Sequence, residues 1–70
     1  MLNPKISFVV PLYNEQESFS VLIERLNKLM ESCASLTFEV VMVNDGSKDR
    51  TAVLMQVNAL NDERYHCVFL

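Results

Sequence analysis

Glycine is almost missing from these seventy residues: Gly46 is the only one. One glycine cannot build the turns that cradle phosphates in GxGxxG or GxxxxGK[ST] loops, which argues against a dinucleotide dehydrogenase and a P-loop ATPase. Cysteine is nearly as scarce. Cys33 and Cys67 form no CxxC pair, and the one histidine, His66, adjoins only Cys67. A zinc site needs about four such ligands, so both thiols read as reduced packing residues of a cytosolic chain. There is no basic excess either: six Lys and Arg stand against nine Asp and Glu, a net charge of −3. That balance gives no basic face for nucleic acid, and no run of like charges marks a tail. Apolar runs are short, with Phe8–Val10 and Val40–Val43 far below the roughly 20 residues of a membrane helix. Residues 1–5 lead straight into the first of these runs, without the long apolar core and small-residue cleavage site of a signal peptide, so none is expected.

What remains is globular: 50% of the residues are hydrophobic, enough to form a core. The layers to cover it are scarcer, because a domain of about 60 residues buries only about 60% of its unfolded surface. Lys5–Val10 is apolar and rich in β-branched residues, and Pro11 is expected to stop it. Phe38–Val43 repeats the pattern, broken only by Glu39, and His66–Leu70 reads as a third strand. Runs apolar on both sides suit buried parallel strands. Between the first two runs, Phe19, Leu22, Ile23, Leu26, Leu29, Met30 and Cys33 recur at three- and four-residue steps, an apolar helical stripe. Asn14 and Glu17 are spaced for a capping box before it, and Glu24 and Lys28 for an exposed ion pair. A second helix is expected from Asp49 to Asn61, with Val53, Leu54, Val57 and Leu60 as its stripe and Ser47 or Asp49 as its cap. The order β-α-β-α-β with short connections implies parallel strands and right-handed crossovers, with both helices on one face. The other face should then expose an apolar patch, and the isolated chain should self-associate.

In open parallel sheets, ligands bind beyond the carboxyl ends of the strands. Those ends carry Pro11-Leu12-Tyr13-Asn14-Glu15 and Asn44-Asp45-Gly46-Ser47. Such a pair of loops suits a nucleoside. Tyr13 can stack on a base, Asp45 can accept from a base N–H or a ribose hydroxyl, and Gly46 permits close backbone approach or a positive φ. Plainer roles compete at each position: Asn14 as a helix cap, Tyr13 as loop packing, Glu15 as a dipole partner, and Asp45-Gly46-Ser47 as an ordinary turn. Asp49 is assigned to the helix start rather than to a ligand, and Lys48 and Arg50 to solvent.

Taken together, Val9-Val10-Pro11-Leu12-Tyr13-Asn14-Glu15 and Val43-Asn44-Asp45-Gly46-Ser47-Lys48-Asp49-Arg50-Thr51 resemble the opening motifs of family 2 glycosyltransferases, in particular the polyprenyl-phosphate (bactoprenol or dolichol) sugar transferases. The resemblance implies an α/β class, the N-terminal β-α-β-α-β portion of a Rossmann-like GT-A domain. It implies that residues 1–70 are a partial catalytic domain, the donor-binding half. In the family, the residues matching Pro11, Tyr13, Asn14 and Glu15 line the nucleoside pocket, and the one matching Asp45 contacts the base or ribose. Gly46 and Ser47 complete the expected binding set. Asn44 departs from the second aspartate that many members carry.

The implied substrates are a UDP- or GDP-sugar and a lipid phosphate, with attack of an acceptor oxygen on the anomeric carbon. The implied cofactor is a divalent ion, Mg2+ or Mn2+. No Asp-x-Asp occurs in the seventy residues, so metal ligands, catalytic base and acceptor site are expected outside them. The chain alone is then expected to be inactive. The full-length protein would sit at the cytoplasmic face of a membrane, without a span in these residues.

The competing class is a non-catalytic nucleotide-binding or interaction remnant. A phosphoaspartyl enzyme is disfavoured, because Asp45 has neither an acidic pair at the end of the first strand nor an aspartate at position 47.

Overall fold

A computed structural model describes residues 5–70; residues 1–4, on which the signal-peptide reading partly rests, lie outside them. The elements run β1 (Lys5–Leu12), α1 (Phe19–Ser32), β2 (Thr37–Asn44), α2 (Thr51–Asn61) and β3 (Tyr65–Phe69). The sheet order is β1-β2-β3, and both pairings are parallel. This is the α/β arrangement expected from the apolar runs.

Pro11 does not stop the first strand, which continues to Leu12 with Pro11 paired to Val43. The reason is its side of the strand. The Leu12 carbonyl accepts from the Asp45 N–H at 3.0 Å, so Leu12 faces β2. Pro11, one residue away, turns its nitrogen to the open edge of the sheet, where no ladder bond is lost.

The core lies between the sheet and both helices. Leu12, Val40, Met42 and Tyr65 pack from the sheet against Phe19 and Met30 of α1 and Met55 of α2, with Phe8, Val10, Phe38 and Cys67 partly buried around them. In the observed register these strand residues share one face, so both helices cover the same side. Phe8 and Phe38, a diagonal cross-strand pair, stack with centroids 5.8 Å apart.

The stripe expected on α1 faces inward, except that Leu29 is exposed. The stripe expected on α2 has the wrong phase. Val53 and Val57 are exposed and Leu60 is 87% exposed, whereas Thr51 and Met55 are buried and Leu54 and Ala59 pack against the core. Apolar residues lie on several sides of α2, so its own periodicity does not select a face. The sheet selects the side bearing Thr51 and Met55.

The loop before β3 is tied back to α1. Asp62 pairs with Arg64 at 2.6 Å, Arg64 Nη2 reaches Asn27 Oδ1 at 3.3 Å, and the Tyr65 hydroxyl donates to that same oxygen at 2.5 Å. The Arg64 guanidinium holds the Asp62 carboxyl below its usual range. Burial pushes the Tyr65 phenol up.

The opposite sheet face is divided along the strands. Toward their carboxyl ends lie Val9 (67% exposed), Pro11, Val41, Val43 and Val68. Toward their amino ends, Glu39 accepts from the Ser7 hydroxyl, pairs with Lys5 at 3.3 Å and faces His66 at 3.9 Å. Those contacts hold the Glu39 carboxyl below its usual range, the Ser7 bond contributing most. The expected apolar patch is thus confined to one half of the face.

Candidate functional site

Leu12 and Asn44 form the last registered pair of β1 and β2, so Tyr13 and Asp45 leave the sheet side by side. The two loops that follow, Tyr13–Ser18 and Asp45–Arg50, have run out of strand partners. Their backbone N–H groups need other acceptors, and side chains of the facing loop supply them.

From the first loop, the Asn14 N–H donates to Ser47 Oγ at 3.0 Å, the Glu15 N–H to Thr51 Oγ1 at 2.8 Å and the Gln16 N–H to Asp49 Oδ2 at 3.2 Å. From the second loop, the Lys48 N–H donates to Asn14 Oδ1 at 2.8 Å and the Arg50 N–H to Gln16 Oε1 at 3.1 Å. The Ser47 N–H donates back to Oδ1 of Asn44, the last residue of β2, at 2.9 Å, bridging the turn at Asp45 and Gly46. Asp49 Oδ1 accepts both the N–H and the hydroxyl of Thr51, at 2.9 and 2.5 Å. The hydroxyl bond is the main reason that the Asp49 carboxyl lies below its usual range; the N–H bonds from Thr51 and Gln16 add to it, and partial desolvation opposes it.

Two residues turn the backbone. Gly46 has φ +73°, and a Cβ there would meet nothing within 4 Å, so glycine is required by conformation and not by crowding. Asn14 has φ 50°, a left-handed conformation that asparagine tolerates better than most residues.

These contacts change several assignments. Asn14 and Glu17 form no capping box. Ser18 occupies the N-cap of α1 without a side-chain cap bond, and its hydroxyl donates to Glu15 Oε2 at 2.8 Å. Helix α2 begins at Thr51, not Asp49, and Ser47 does not cap it. Asn14 is drawn into the facing loop because its left-handed φ and side-chain oxygen serve Lys48 there.

Of the seven expected binding residues, Asn14, Glu15 and Ser47 spend backbone or side-chain groups on loop contacts, and Pro11 lies within β1, paired to Val43. Tyr13 is 52% exposed. Tyr13 and Asp45 make no side-chain hydrogen bond among the described residues, which leaves an aromatic face and a carboxylate open beside each other. A polar hollow of about 470 Å³ is lined by Asn14, Glu15, Gln16, Glu17, Ser18 and Asp49, and neither Tyr13 nor Asp45 is part of its wall.

Gln16 and Thr51 were not singled out by the sequence, and Asn44 only as a departure. Asn44 is buried and brackets the turn, a role that its place two residues before the only glycine could have suggested. Among the described residues no three His, Cys, Asp or Glu side chains converge as metal ligands. The divalent ion implied by the resemblance therefore has no donor set among the described residues. No described helix is long and apolar enough to cross a membrane.

The family described as glycosyl transferase family 2 matches residues 7–70. The chain belongs to that family. It is 42% identical over 66 residues to an undecaprenyl-phosphate 4-deoxy-4-formamido-L-arabinose transferase of Yersinia enterocolitica, covering 91% of this chain and 19% of that protein. It is 41% identical over 69 residues to a dolichyl-phosphate beta-glucosyltransferase of Trichomonas vaginalis, covering 93% of this chain and 20% of that protein. The chain thus spans about a fifth of the length of these family 2 relatives.

Proposed function

We propose that this chain is the nucleoside-recognising part of a glycosyltransferase that moves a sugar from a UDP- or GDP-sugar to a polyprenyl phosphate. The reading rests above all on one observation: Tyr13 and Asp45 emerge together from adjacent parallel strands, beside loops tied to each other by five hydrogen bonds from backbone N–H groups to side-chain oxygens. Tyr13 would stack on the base, and Asp45 would accept from a base N–H or a ribose hydroxyl. Pro11, Asn14, Glu15, Gly46 and Ser47 would shape the pocket around them. The relatives' names, an undecaprenyl-phosphate sugar transferase and a dolichyl-phosphate glucosyltransferase, support a lipid-phosphate acceptor.

The diphosphate, a divalent ion and the acceptor would be held by residues other than those described, so the seventy residues alone would bind without transferring. A lipid-phosphate acceptor supports membrane association of the full-length protein, and the cytoplasmic face is part of the same proposal.

Calorimetric titration of UDP and GDP into the chain and its Asp45→Ala variant tests the reading. Losing a hydrogen bond to a charged acceptor should weaken binding about ten- to a hundredfold. Equal affinity in a folded Asp45→Ala variant would remove Asp45 from the site.

A further inference from the structure

We infer that Gln16, Asp49 and Thr51 are positioning residues: they close a clamp between the two loops that sets the separation of Tyr13 and Asp45. As a statement about positioning, this rests on the nucleoside reading above; the clamp itself stands on its geometry.

The argument begins with what the loops lack. Past Leu12 and Asn44 the last ladder bond joins the Leu12 carbonyl to the Asp45 N–H. Without further ties, each loop would swing from its own strand end and its amides would be solvated. Instead, the carboxylate of Asp49 bridges. One oxygen holds the first residue of α2 through the N–H and hydroxyl of Thr51, and the other takes the Gln16 N–H. Gln16 returns the contact, its side-chain oxygen accepting the Arg50 N–H. The Thr51 hydroxyl accepts the Glu15 N–H while it donates to Asp49.

The far end of the clamp is fixed. Thr51 is fully buried and starts the helix whose Met55 sits in the core. The first loop is thereby tied through Thr51 to the helix layer as well as through Leu12 to the sheet. None of the three side chains has to touch a ligand for this. Asn14 and Ser47 add a second pair of ties nearer the strand ends, which occupy the Asn14 N–H and one lone pair of its Oδ1. Tyr13 and Asp45 are exposed, and their side chains take no part in the clamp.

The test uses the seventy-residue chain with Gln16→Ala and Gln16→Glu, read by amide hydrogen exchange and by UDP and GDP titration. Gln16→Ala removes the acceptor of the Arg50 N–H, whereas Gln16→Glu keeps an oxygen there. The expected result is that Gln16→Ala speeds exchange at Arg50 and Gln16 by about two- to tenfold and weakens nucleotide binding by a similar factor, the worth of one net hydrogen bond. Exchange at Val41 and Met42 of β2 stays unchanged, and Gln16→Glu restores both readouts.

Should Gln16→Ala not fold, Asp49→Asn releases the second carboxylate oxygen while keeping an acceptor for Thr51, and the same pattern is expected at Gln16. Unchanged exchange at Arg50, or equal acceleration in β2, overturns the clamp. If the parent chain binds nucleotide and Gln16→Ala binds it equally well, the positioning role fails while the nucleoside reading survives. If the parent chain binds neither nucleotide, the nucleoside reading fails and takes the positioning role with it, although a selective exchange pattern would still establish the clamp.

Discussion

Thr51 offers the sharpest perturbation, because its hydroxyl and its methyl can be removed separately. The residue is fully buried at the start of α2, accepts the Glu15 N–H at 2.8 Å and donates to Asp49 at 2.5 Å. Thr51→Val keeps the shape and deletes the hydroxyl. The Glu15 N–H then loses its acceptor in a part-buried setting that water enters poorly, a change worth about 1–3 kcal/mol. Thr51→Ser keeps both hydrogen bonds and deletes one buried methyl, worth about 1 kcal/mol. Helix propensity barely separates the three residues. The expected order of stability is therefore threonine, then serine, then valine.

Native domains hold roughly 0.05–0.15 kcal/mol per residue, so the valine loss is a sizeable part of the whole for a chain of this length. Urea denaturation followed by far-UV circular dichroism at pH 7 measures it. With a slope of about 1–3 kcal/mol per molar urea, the valine midpoint should fall by about 1 M, and by less in the serine variant. A valine variant as stable as serine, or more stable, would refute the reasoning. It would mean that packing of the methyl, and not the loop-bridging hydroxyl, keeps threonine at this position.

Two further outcomes are expected, one from the Gly46 turn and one from three carboxylates. Gly46→Ala should destabilise by about 1–2 kcal/mol through its positive φ alone, since a Cβ meets no neighbour; a neutral result in urea titration would show that the turn relaxes freely. Asp49, Asp62 and Glu39 all lie below their usual values in the folded chain, so their contribution is present above the unfolded values near pH 4 and is lost as the pH falls through the lower folded ones. The urea midpoint should drop between pH 5 and pH 3, and an unchanged midpoint would contradict those pairings.

The fold was legible because three apolar runs and two helical periods admit few arrangements. The misreadings share one physical origin: each was a local inference about a residue whose partner lies elsewhere in the chain. Pro11 reads as a strand terminator until the open edge beside it is known. The α2 stripe could not be phased from α2, since Val53, Val57 and Leu60 are as apolar as Met55, and only the sheet favours the Thr51–Met55 side. Asn14 and Glu17 have capping-box spacing, but the facing loop offers Asn14 a Lys48 N–H.

The two motifs lie about 30 residues apart, and the register gives that spacing a physical meaning. Along β1 and β2, facing residues are offset by 32, as in Ser7 and Glu39. Beyond the strand ends four of the five contacts keep nearly the same offset, 33 for Asn14 with Ser47 and Gln16 with Asp49 and 34 for Asn14 with Lys48 and Gln16 with Arg50, while Glu15 reaches 36 residues on to Thr51, where the helix begins. The loops thus continue the pairing of the strands, with side-chain oxygens replacing backbone carbonyls as acceptors. Such a continuation constrains the sequence more tightly than a ladder does. A ladder bond uses groups that nearly every residue carries, whereas here particular positions must present an amide, a hydroxyl or a carboxylate. This accounts for the density of Asn, Gln, Ser, Asp and Thr in both motifs without giving each one a ligand. It also explains why a single glycine suffices, since the turn requires one positive φ at Gly46 and asparagine supplies the other at position 14.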